Sequence, residues 1–232
     1  MKGDYTLKEF SVVIPCFNEE THLPVLLRKL YYVGFVNVLV VDAGSTDNTV
    51  EVAKLCKTKI IYSSTKNRAF QLNLGAKLSN TALLLFLHAD VKLPLNFTKR
   101  LLATANNSRF DFANFRLQFN SNHWFLKLNE KFSHLKVGTF QFGDQGLMIR
   151  KPVFNSVNGF DENLVFMEGN DIIRRLEKDY HFIKVKSSLV VSARKYEEIG
   201  VYRLQCSYFI IYVLARLGVK QKTIRYLFKK IL

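Results

Sequence analysis

Cysteine is scarce in this sequence: three cysteines occur among 232 residues, at positions 16, 56 and 206. The number is odd and no Cys-x-x-Cys pair occurs, which argues against a disulfide framework and against a thiolate zinc site. We therefore interpret Cys16, Cys56 and Cys206 as small hydrophobic side chains in a reducing compartment.

Long hydrophobic runs are also missing. The first ten residues (MKGDYTLKEF) lack the apolar stretch of a secretory signal peptide. The longest apolar run, residues 208–215, is too short for a bilayer, which needs about 20 residues. We expect a cytoplasmic chain, with peripheral contact at the inner face of the membrane as a further hypothesis.

Acidic residues are few, 19 against 34 basic residues, and the net charge of +15 favours an anionic partner. A nucleotide, a phospholipid surface and a nucleic acid all qualify on charge. No RRM, KH or helix-turn-helix pattern is present, and the aromatic residues lie mostly in apolar runs. The sequence therefore predicts no nucleic-acid partner.

The first half of the chain alternates strand and helix patterns. Continuous apolar runs predict buried strands at residues 10–15, 37–42, 59–62 and 83–88, with the last at the sheet centre. Helices are predicted between them: one carries Pro24 in its first turn, and others begin at Ser45 or Thr46 and at Pro94. This order predicts an α/β fold with a mostly parallel central sheet flanked by helices.

The second half changes character. Residues 110–119 alternate apolar and polar side chains, which predicts a half-exposed strand, and residues 144–150 predict another strand. Helices are predicted at residues 123–135, 151–157, 171–178, 202–217 and 224–231.

Polar side chains collect directly after three of the predicted strands. Residues 15–20 follow the first strand, residues 42–47 the second, and His88, Ala89 and Asp90 end the fourth. Ligands of open parallel sheets bind at the carboxyl ends of the strands, so these side chains mark the candidate site. Residues 15–20 contain no glycine, which argues against a dehydrogenase and against a nucleotidyltransferase.

These residue types suit a nucleotide. Asp42 can accept hydrogen bonds from a base or a ribose, and Gly44 permits a close ligand approach. Asp90 ends a buried strand, where a metal ion would stabilise its carboxylate and hold two phosphates. The alternative is that Asp42, Asp47 and Asp90 merely cap turns or helices.

The segments FSVVIPCFNE (residues 10–19), VVDAGSTDNT (residues 40–49) and FLHAD (residues 86–90) together resemble the family 2 glycosyltransferases, which have a GT-A fold. In that family the last segment is usually Asp-x-Asp, whereas His88 stands here in place of the first acid. A subgroup with His-Ala-Asp is most similar. Residues 142–150 (FGDQGLMIR), 159–160 and 191–194 (VSAR) resemble that subgroup too.

The resemblance implies roles for individual residues. Asp90 would bind Mg²⁺ or Mn²⁺, and neutral His88 could assist it, unless His88 is a turn residue with a satisfied hydrogen bond. Arg68 would lie near a phosphate or the ribose. The nucleotide-sugar site would comprise Pro15, Glu19, Asp42, Gly44, Ser45, Arg68, Gln71, Asn73, Ala89 and Asp90.

The catalytic base is where the sequence departs from the family. An inverting transferase uses a carboxylate to deprotonate the acceptor hydroxyl, and Gly169 occupies the usual position of that base. Glu168, Asp171 and Asp144 are the candidates, with Glu168 slightly favoured. Alternatively Asn170 is a helix N-cap and Asp171 only pairs with Arg174 and Arg175. A further alternative is that the chain binds the donor but turns over slowly or not at all.

The resemblance thus implies a metal-dependent inverting glycosyltransferase. It would move a sugar from a UDP- or GDP-sugar to an acceptor hydroxyl or phosphate, with a lipid-linked acceptor as one candidate. One domain is expected, with a nucleotide-sugar-binding half (residues 1–109), an acceptor and catalytic half (residues 110–200) and C-terminal helices (residues 201–232). The basic residues of the C-terminal helices would suit contact with an anionic lipid surface. The alternatives are a catalytically impaired nucleotide-sugar binder and a basic module for membranes or nucleic acids.

Overall fold

The computed structural model describes residues 4–134 and 145–231. A short 3-10 helix, Leu7–Glu9, precedes the first strand. The strands are β1 (Phe10–Cys16), β2 (Asn37–Asp42), β3 (Lys59–Tyr62), β4 (Leu83–Phe86), β5 (Phe112–Phe119), β6 (Leu147–Arg150) and β7 (Phe182–Val191). The helices are α1 (Leu23–Tyr32), α2 (Thr49–Leu55), α3 (Arg68–Lys77), α4 (Phe97–Ala105), α5 (Trp124–Phe132), α6 (Lys151–Ser156), α7 (Glu168–Leu176), α8 (Arg194–Ile199), α9 (Val201–Arg216) and α10 (Gln221–Ile231).

The strands form one sheet in the order β3-β2-β1-β4-β6-β5-β7. Strands β1 to β4 are parallel to one another, and β5 is parallel to β7. Strand β6 runs antiparallel to both β4 and β5 and joins the two parallel parts. The predicted α/β fold with a mostly parallel sheet, and the central place of β4, are confirmed.

Both faces of the sheet are buried, which explains why β1 and β2 are apolar throughout. Val12 of β1 packs into a cluster with Leu27 of α1 and Phe97 of α4. Val13, on the opposite face, packs into a cluster with Leu72 of α3 and Ile173 of α7. The helices that begin at Arg68 and Glu168 therefore lie on the same face of the sheet.

Helix α3 lies unusually close to the sheet because it carries Gly75 over β1. A Cβ at this position would lie 2.3 Å from Cγ1 of Val13 and 3.2 Å from Cγ2 of Val41. Side chains in a packed core cannot approach so closely, so glycine is needed here. The close approach brings the N-terminus of α3, and Arg68 with it, to the carboxyl edge of the sheet.

Three predicted boundaries in the first half are wrong. Helix α2 is preceded by Asn48 as its N-cap residue, not by Ser45 or Thr46, whose side chains bind within the preceding loops. Helix α4 begins at Phe97, since Pro94 lies one turn earlier and its carbonyl accepts the Phe97 N–H at 3.1 Å. Strand β4 ends at Phe86, two residues before His88.

The second half differs more. Strand β5 is buried almost throughout, rather than half-exposed, because helices cover it: Phe115 stacks on Phe97 of α4, and Leu117 lies in the same cluster as Leu126 of α5. The sequence analysis missed both β7 and α8. Helix α7 begins at Glu168, earlier than predicted, and its N-cap residue is Met167 instead of Asn170. The predicted elements at residues 123–135 and 144–150 extend in part outside the described residues.

Helices α9 and α10 follow α8 in the chain. Within the described residues, no helix is both long and apolar enough to cross a membrane. Helix α10 contacts the segment before α7: Oε1 of Gln221 accepts the Val165 N–H at 3.1 Å, and the rings of Phe166 and Phe228 lie 4.9 Å apart. The C-terminal helix is therefore fixed beside the start of α7.

Candidate active site

A cavity opens at the carboxyl edge of the sheet, between α3 and α7. Pro15 from β1 and His88 from the loop after β4 line one side of it. Arg68 and Glu168, the first residues of α3 and α7, line the other side together with Gly169. Four of these residues, Pro15, Arg68, His88 and Glu168, were assigned to the candidate site from the sequence, and Gly169 was noted as standing where the family's base usually lies; the fold brings all five together.

The Asp42 carboxylate is buried and organises its own loop. Its Oδ2 accepts the N–H groups of Gly44 and Ser45 at 2.9 and 3.0 Å, and its Oδ1 accepts the Ser45 hydroxyl at 2.5 Å. Gly44 has φ +78°, and among the described residues nothing lies within 4 Å of the place where its Cβ would stand. The turn-capping interpretation of Asp42 is thus what the contacts support, and the loop that it holds leaves open space beside Gly44.

Asn18 joins the loops after β1 and β2, a role that the sequence analysis missed. Its Oδ1 accepts the Thr46 N–H at 2.9 Å, and its own N–H donates to the Ser45 hydroxyl at 3.0 Å. Asn18 has φ +56°, a left-handed conformation that asparagine tolerates better than most residues. An asparagine directly after a buried strand was the available signal. Asp47 caps the same region by accepting from Thr49 and from the Glu20 N–H.

Glu19 and Asp90 are neighbouring acidic groups. Burial, and secondly the charge of Asp90, raise the pKa of Glu19. Oε2 of Glu19 is buried without a hydrogen-bond partner, and Nδ1 of His22 lies 3.5 Å from it. In the described part of the chain, no hydrogen bond or ion pair holds the Asp90 carboxylate. An orphaned carboxylate oxygen beside a second carboxylate is an arrangement that a cation would stabilise.

A divalent cation would draw only part of its ligands from the chain. No group of three acidic, histidine or cysteine side chains able to hold a metal occurs within residues 4–134 and 145–231. Mg²⁺ is commonly held by one or two carboxylates, with substrate phosphates and water completing its shell. Asp90, with Glu19 beside it, fits that kind of site. His88 lines the cavity, and Ala89 between them is buried.

Arg68 and Glu168 form an ion pair on the wall of the cavity. Nη1 of Arg68 lies 3.2 Å from Oε1 of Glu168, whose residue is 7% exposed. The arginine side chain is 46% exposed, so it can also face a ligand in the cavity. Of the three acids considered for the base, Glu168 is the one that the structure places on the cavity wall. Asp144 lies outside the described residues.

Asp171 is held by two arginines of its own helix. Its carboxylate accepts from Nη2 of Arg174 at 3.0 Å and from Nε of Arg175 at 2.7 Å. Arg175 also donates to the carbonyl oxygens of Val157 and Gly159. The interpretation of Asp171 as a helical charge pair is confirmed, and its contacts give it a structural role in fixing the loop after α6.

Replacing Asp171 by Asn is therefore expected to lower stability without changing donor affinity. The change removes the negative charge and one of the two oxygens that accept from the arginines, for which we expect a loss of about 2 kcal/mol in the free energy of unfolding. Urea unfolding measures it, and the exposed Asp179→Asn on the following turn is the matched control. An Asp171→Asn variant as stable as the control would show that the arginines do not depend on this carboxylate.

Gln71 and Asn73 both bind the protein backbone, and their predicted contact with a nucleotide stays a prediction. Nε2 of Gln71, a buried side chain, donates to the carbonyl oxygens of Cys16 and Val41 at 3.1 and 2.7 Å. Asn73 binds the backbone N–H and C=O of Phe160, both at 2.9 Å. Gln71 ties α3 to the ends of β1 and β2, and Asn73 ties it to the loop before α7. Both amides thus position the cavity walls.

Comparison with known proteins identifies the family. The model of Glycosyl transferase family 2 matches residues 11–159, which include β1, the loop with Asp42, and Asp90. A 4,4'-diaponeurosporenoate glycosyltransferase of Staphylococcus haemolyticus is 34% identical over 96 residues, or 38% of this chain and 26% of that protein. The curated relatives are matched over 19% to 57% of their own length.

Two further proteins are similar over more of the chain. An undecaprenyl-phosphate 4-deoxy-4-formamido-L-arabinose transferase of Proteus mirabilis is 28% identical over 159 residues, covering 62% of this chain and 48% of that protein. The structure of a mannosyltransferase from Pyrobaculum calidifontis, in complex with GDP-Man and Mn²⁺, superposes with a TM-score of 0.70 at 13% identity. That superposition covers 90% of this chain and 64% of the other, and it shows that the fold is shared.

Proposed function

The chain belongs to glycosyl transferase family 2, and from this we propose that it is an inverting glycosyltransferase using a nucleoside diphosphate sugar. The observation that carries the proposal is the Asp90 carboxylate, which has no partner among the described residues and lies beside the orphaned oxygen of Glu19. A diphosphate and its cation supply what these two groups lack. The similar mannosyltransferase was solved with GDP-Man and Mn²⁺, which supports the same pairing here.

The donor would lie across the carboxyl ends of β1, β2 and β4. The loop held by Asp42 and Asn18 offers open space at Gly44 for the nucleoside. Residues 1–109 would thus bind the donor, and residues 110–200 would bind the acceptor. Asp90, with Glu19 and His88 nearby, would hold Mg²⁺ or Mn²⁺. When bound, that ion neutralises the negative charge that develops on the leaving diphosphate.

Glu168 is our choice for the base. The acceptor oxygen attacks the anomeric carbon, the bond from that carbon to the diphosphate breaks, and the acceptor proton moves to the Glu168 carboxylate. Arg68 holds Oε1 of Glu168 at the cavity wall, which leaves its second oxygen to receive the proton. Gly169, next to it, has no side chain to occupy the space where the acceptor would approach.

The test of this function is the binding of a panel of nucleoside diphosphates. Binding is measured as a change in the melting temperature, in the presence of Mn²⁺ or of EDTA. We expect UDP or GDP to raise the melting temperature in the presence of Mn²⁺ and not in EDTA. No shift with any nucleotide would overturn the assigned donor site. If a nucleotide raised the melting temperature equally in Mn²⁺ and in EDTA, the fold assignment would stand and the metal site would be overturned.

We also propose that the acceptor is lipid-linked and that α9 and α10 contact an anionic membrane surface. Large apolar side chains are exposed on these helices, including Phe209 of α9 at 65% and Tyr226 of α10 at 65%, and exposed Lys222 and Arg225 lie close in sequence to Tyr226. Such a combination suits an interfacial helix pair. The similar Proteus mirabilis transferase is named for an undecaprenyl-phosphate substrate.

Vesicle flotation tests the membrane contact. Vesicles of phosphatidylcholine containing phosphatidylglycerol should carry the protein with them, and pure phosphatidylcholine vesicles should carry much less. Phe209→Ser should weaken the binding because it removes an exposed ring, whereas Leu55→Ser, an exposed apolar position on α2, should not. If both variants bound the vesicles equally well, the membrane contact would lie elsewhere on the chain or would not exist.

A further inference from the structure

A buried lysine lies in the second half of the sheet, outside the donor site. Lys184 of β7 is 8% exposed, and its Nζ donates to Oδ1 of Asn114 at 2.8 Å and to Oε1 of Gln145 at 2.6 Å. The carbonyl oxygen of Phe115 lies at 3.4 Å. Burial, followed by the positive charge of Arg116, lowers the pKa of Lys184 to about 7. The neighbours of this ammonium group are thus neutral oxygens and a second cation.

Arg116 is the second cation, and it has no counterion among residues 4–134 and 145–231. It follows an irregularity in the pairing of β5 with β7 between Phe115 and Arg116. Its Nε is buried and has no hydrogen-bond partner. Among the residues that the structure describes, no carboxylate forms an ion pair with Arg116 or Lys184. A buried guanidinium N–H without an acceptor is costly, and its cost falls when an anion accepts from it.

His134 adds a third basic group after α5. Burial, and then the charges of Arg116 and Lys184, lower the pKa of His134. The acidic group whose charge reaches this histidine is Glu130. Oε1 of Glu130 already accepts from Nζ of Lys127 at 2.9 Å and from the Phe119 N–H at 2.7 Å. Glu130 therefore does not neutralise Arg116.

The cationic cluster adjoins the candidate active site. Gln145, which accepts from Lys184, immediately precedes Gly146, and Gly146 lines the same cavity as His88 and Glu168. Strands β5 and β7 lie at the opposite end of the sheet from β2 and β3, which flank the proposed nucleoside site. The cluster thus lies on the side of the cavity that the acceptor would occupy.

We propose that Arg116 and Lys184 form a binding site for a phosphate group carried by the acceptor. This rests on the proposed function for its biological meaning, although the anion site itself is tested without it. Arg116 provides an unsatisfied N–H donor at Nε, and a planar guanidinium can bind a phosphate through two parallel hydrogen bonds. Lys184 provides a positive charge where the low dielectric strengthens its attraction for an anion.

The proposal has a pH signature. A bound phosphate favours the charged form of Lys184, so binding near neutral pH takes up a proton at this amine, and the lysine's contribution to phosphate affinity is lost as pH rises above about 7. The other titratable groups facing the site are His134 and, through it, Glu130. His134 would also lose charge as pH rises. Lys184→Met therefore separates the contribution of Lys184 to the pH dependence of phosphate binding from that of His134.

The experiment is calorimetric titration of the full chain with inorganic phosphate while the donor site is saturated with UDP and Mn²⁺. We expect one phosphate per chain, with proton uptake seen by comparing buffers of different ionisation enthalpy. Affinity should fall at least tenfold in Arg116→Gln and in Lys184→Met, and the proton uptake should disappear in Lys184→Met. Lys186→Met, at an exposed position on the same strand, should bind as the wild type does.

Glycerol 3-phosphate and a short-chain prenyl phosphate are then tested as competitors. Displacement by the first indicates a soluble acceptor and by the second a lipid-linked one; displacement by neither overturns the acceptor assignment. Phosphate binding that Arg116→Gln leaves unchanged, or no phosphate binding at all, overturns the site. Because Arg116 is partly exposed, its variant tests the proposal even if Lys184→Met fails to fold. Absence of UDP binding contradicts the proposed function instead, and the phosphate titration is then run without UDP.

Discussion

Asp90→Asn is expected to abolish the Mn²⁺-dependent binding of the nucleoside diphosphate and to lower turnover by a factor on the order of 10³. The amide keeps the shape of the side chain and removes the charge that would hold the cation. Because the Asp90 carboxylate makes no hydrogen bond or ion pair within the described residues, the melting temperature without ligand should not fall. Calorimetry with UDP or GDP, with and without Mn²⁺, measures the first effect.

Glu51→Gln, an exposed acid on α2, is the control for the loss of one negative charge. An Asp90→Asn variant that still binds nucleotide in a Mn²⁺-dependent way would move the metal site to other residues. A variant that unfolds would give Asp90 a structural role, contrary to its lack of partners in the described chain.

Glu168→Gln is expected to lower turnover by a factor on the order of 10²–10⁴ while leaving nucleotide affinity nearly unchanged, since it removes only the proton acceptor. Glutamine can still accept from Arg68, so the wall of the cavity should keep its shape. Steady-state release of nucleoside diphosphate gives turnover, and calorimetry gives nucleotide affinity.

The comparison that decides the base is with Asp171→Asn. That variant should retain turnover at a temperature where it is folded, because both of its carboxylate oxygens bind arginines. If Glu168→Gln retained full turnover while Asp171→Asn lost it, the base would be Asp171, and α7 would have to rearrange when substrate binds.

Local pattern was enough to predict the first half of the fold. The runs that became β1 and β2 are apolar because both sheet faces are covered, and parallel strands bring their carboxyl ends to one edge. From that rule alone, Glu19 and Asp90 were expected to meet, and the charge of Asp90 does act on Glu19. Strand β7 was missed because polar residues interrupt it (FIKVKSSLVV), and its pairing with β5 is not visible in the sequence.

Contacts between distant residues account for most of what the sequence did not show. Asn73 binds the backbone of Phe160, and this contact depends on how α3 and the loop before α7 pack. The ion pair of Arg68 with Glu168 likewise joins two helix starts that only the folded chain brings together. The Arg116 and Lys184 cluster arises from the missed β5–β7 pairing.

The most direct test of the account is release of nucleoside diphosphate over many turnovers from a panel of UDP- and GDP-sugars with Mn²⁺. Water replaces a missing acceptor slowly in such a site, so we predict release from at least one donor that exceeds the enzyme concentration and is lost in Asp90→Asn. A chain that binds the nucleotide tightly, yet releases none from any sugar donor with or without acceptor phosphates, would contradict the account. It would instead be a nucleotide-sugar-binding protein in which Gly169 marks a lost base.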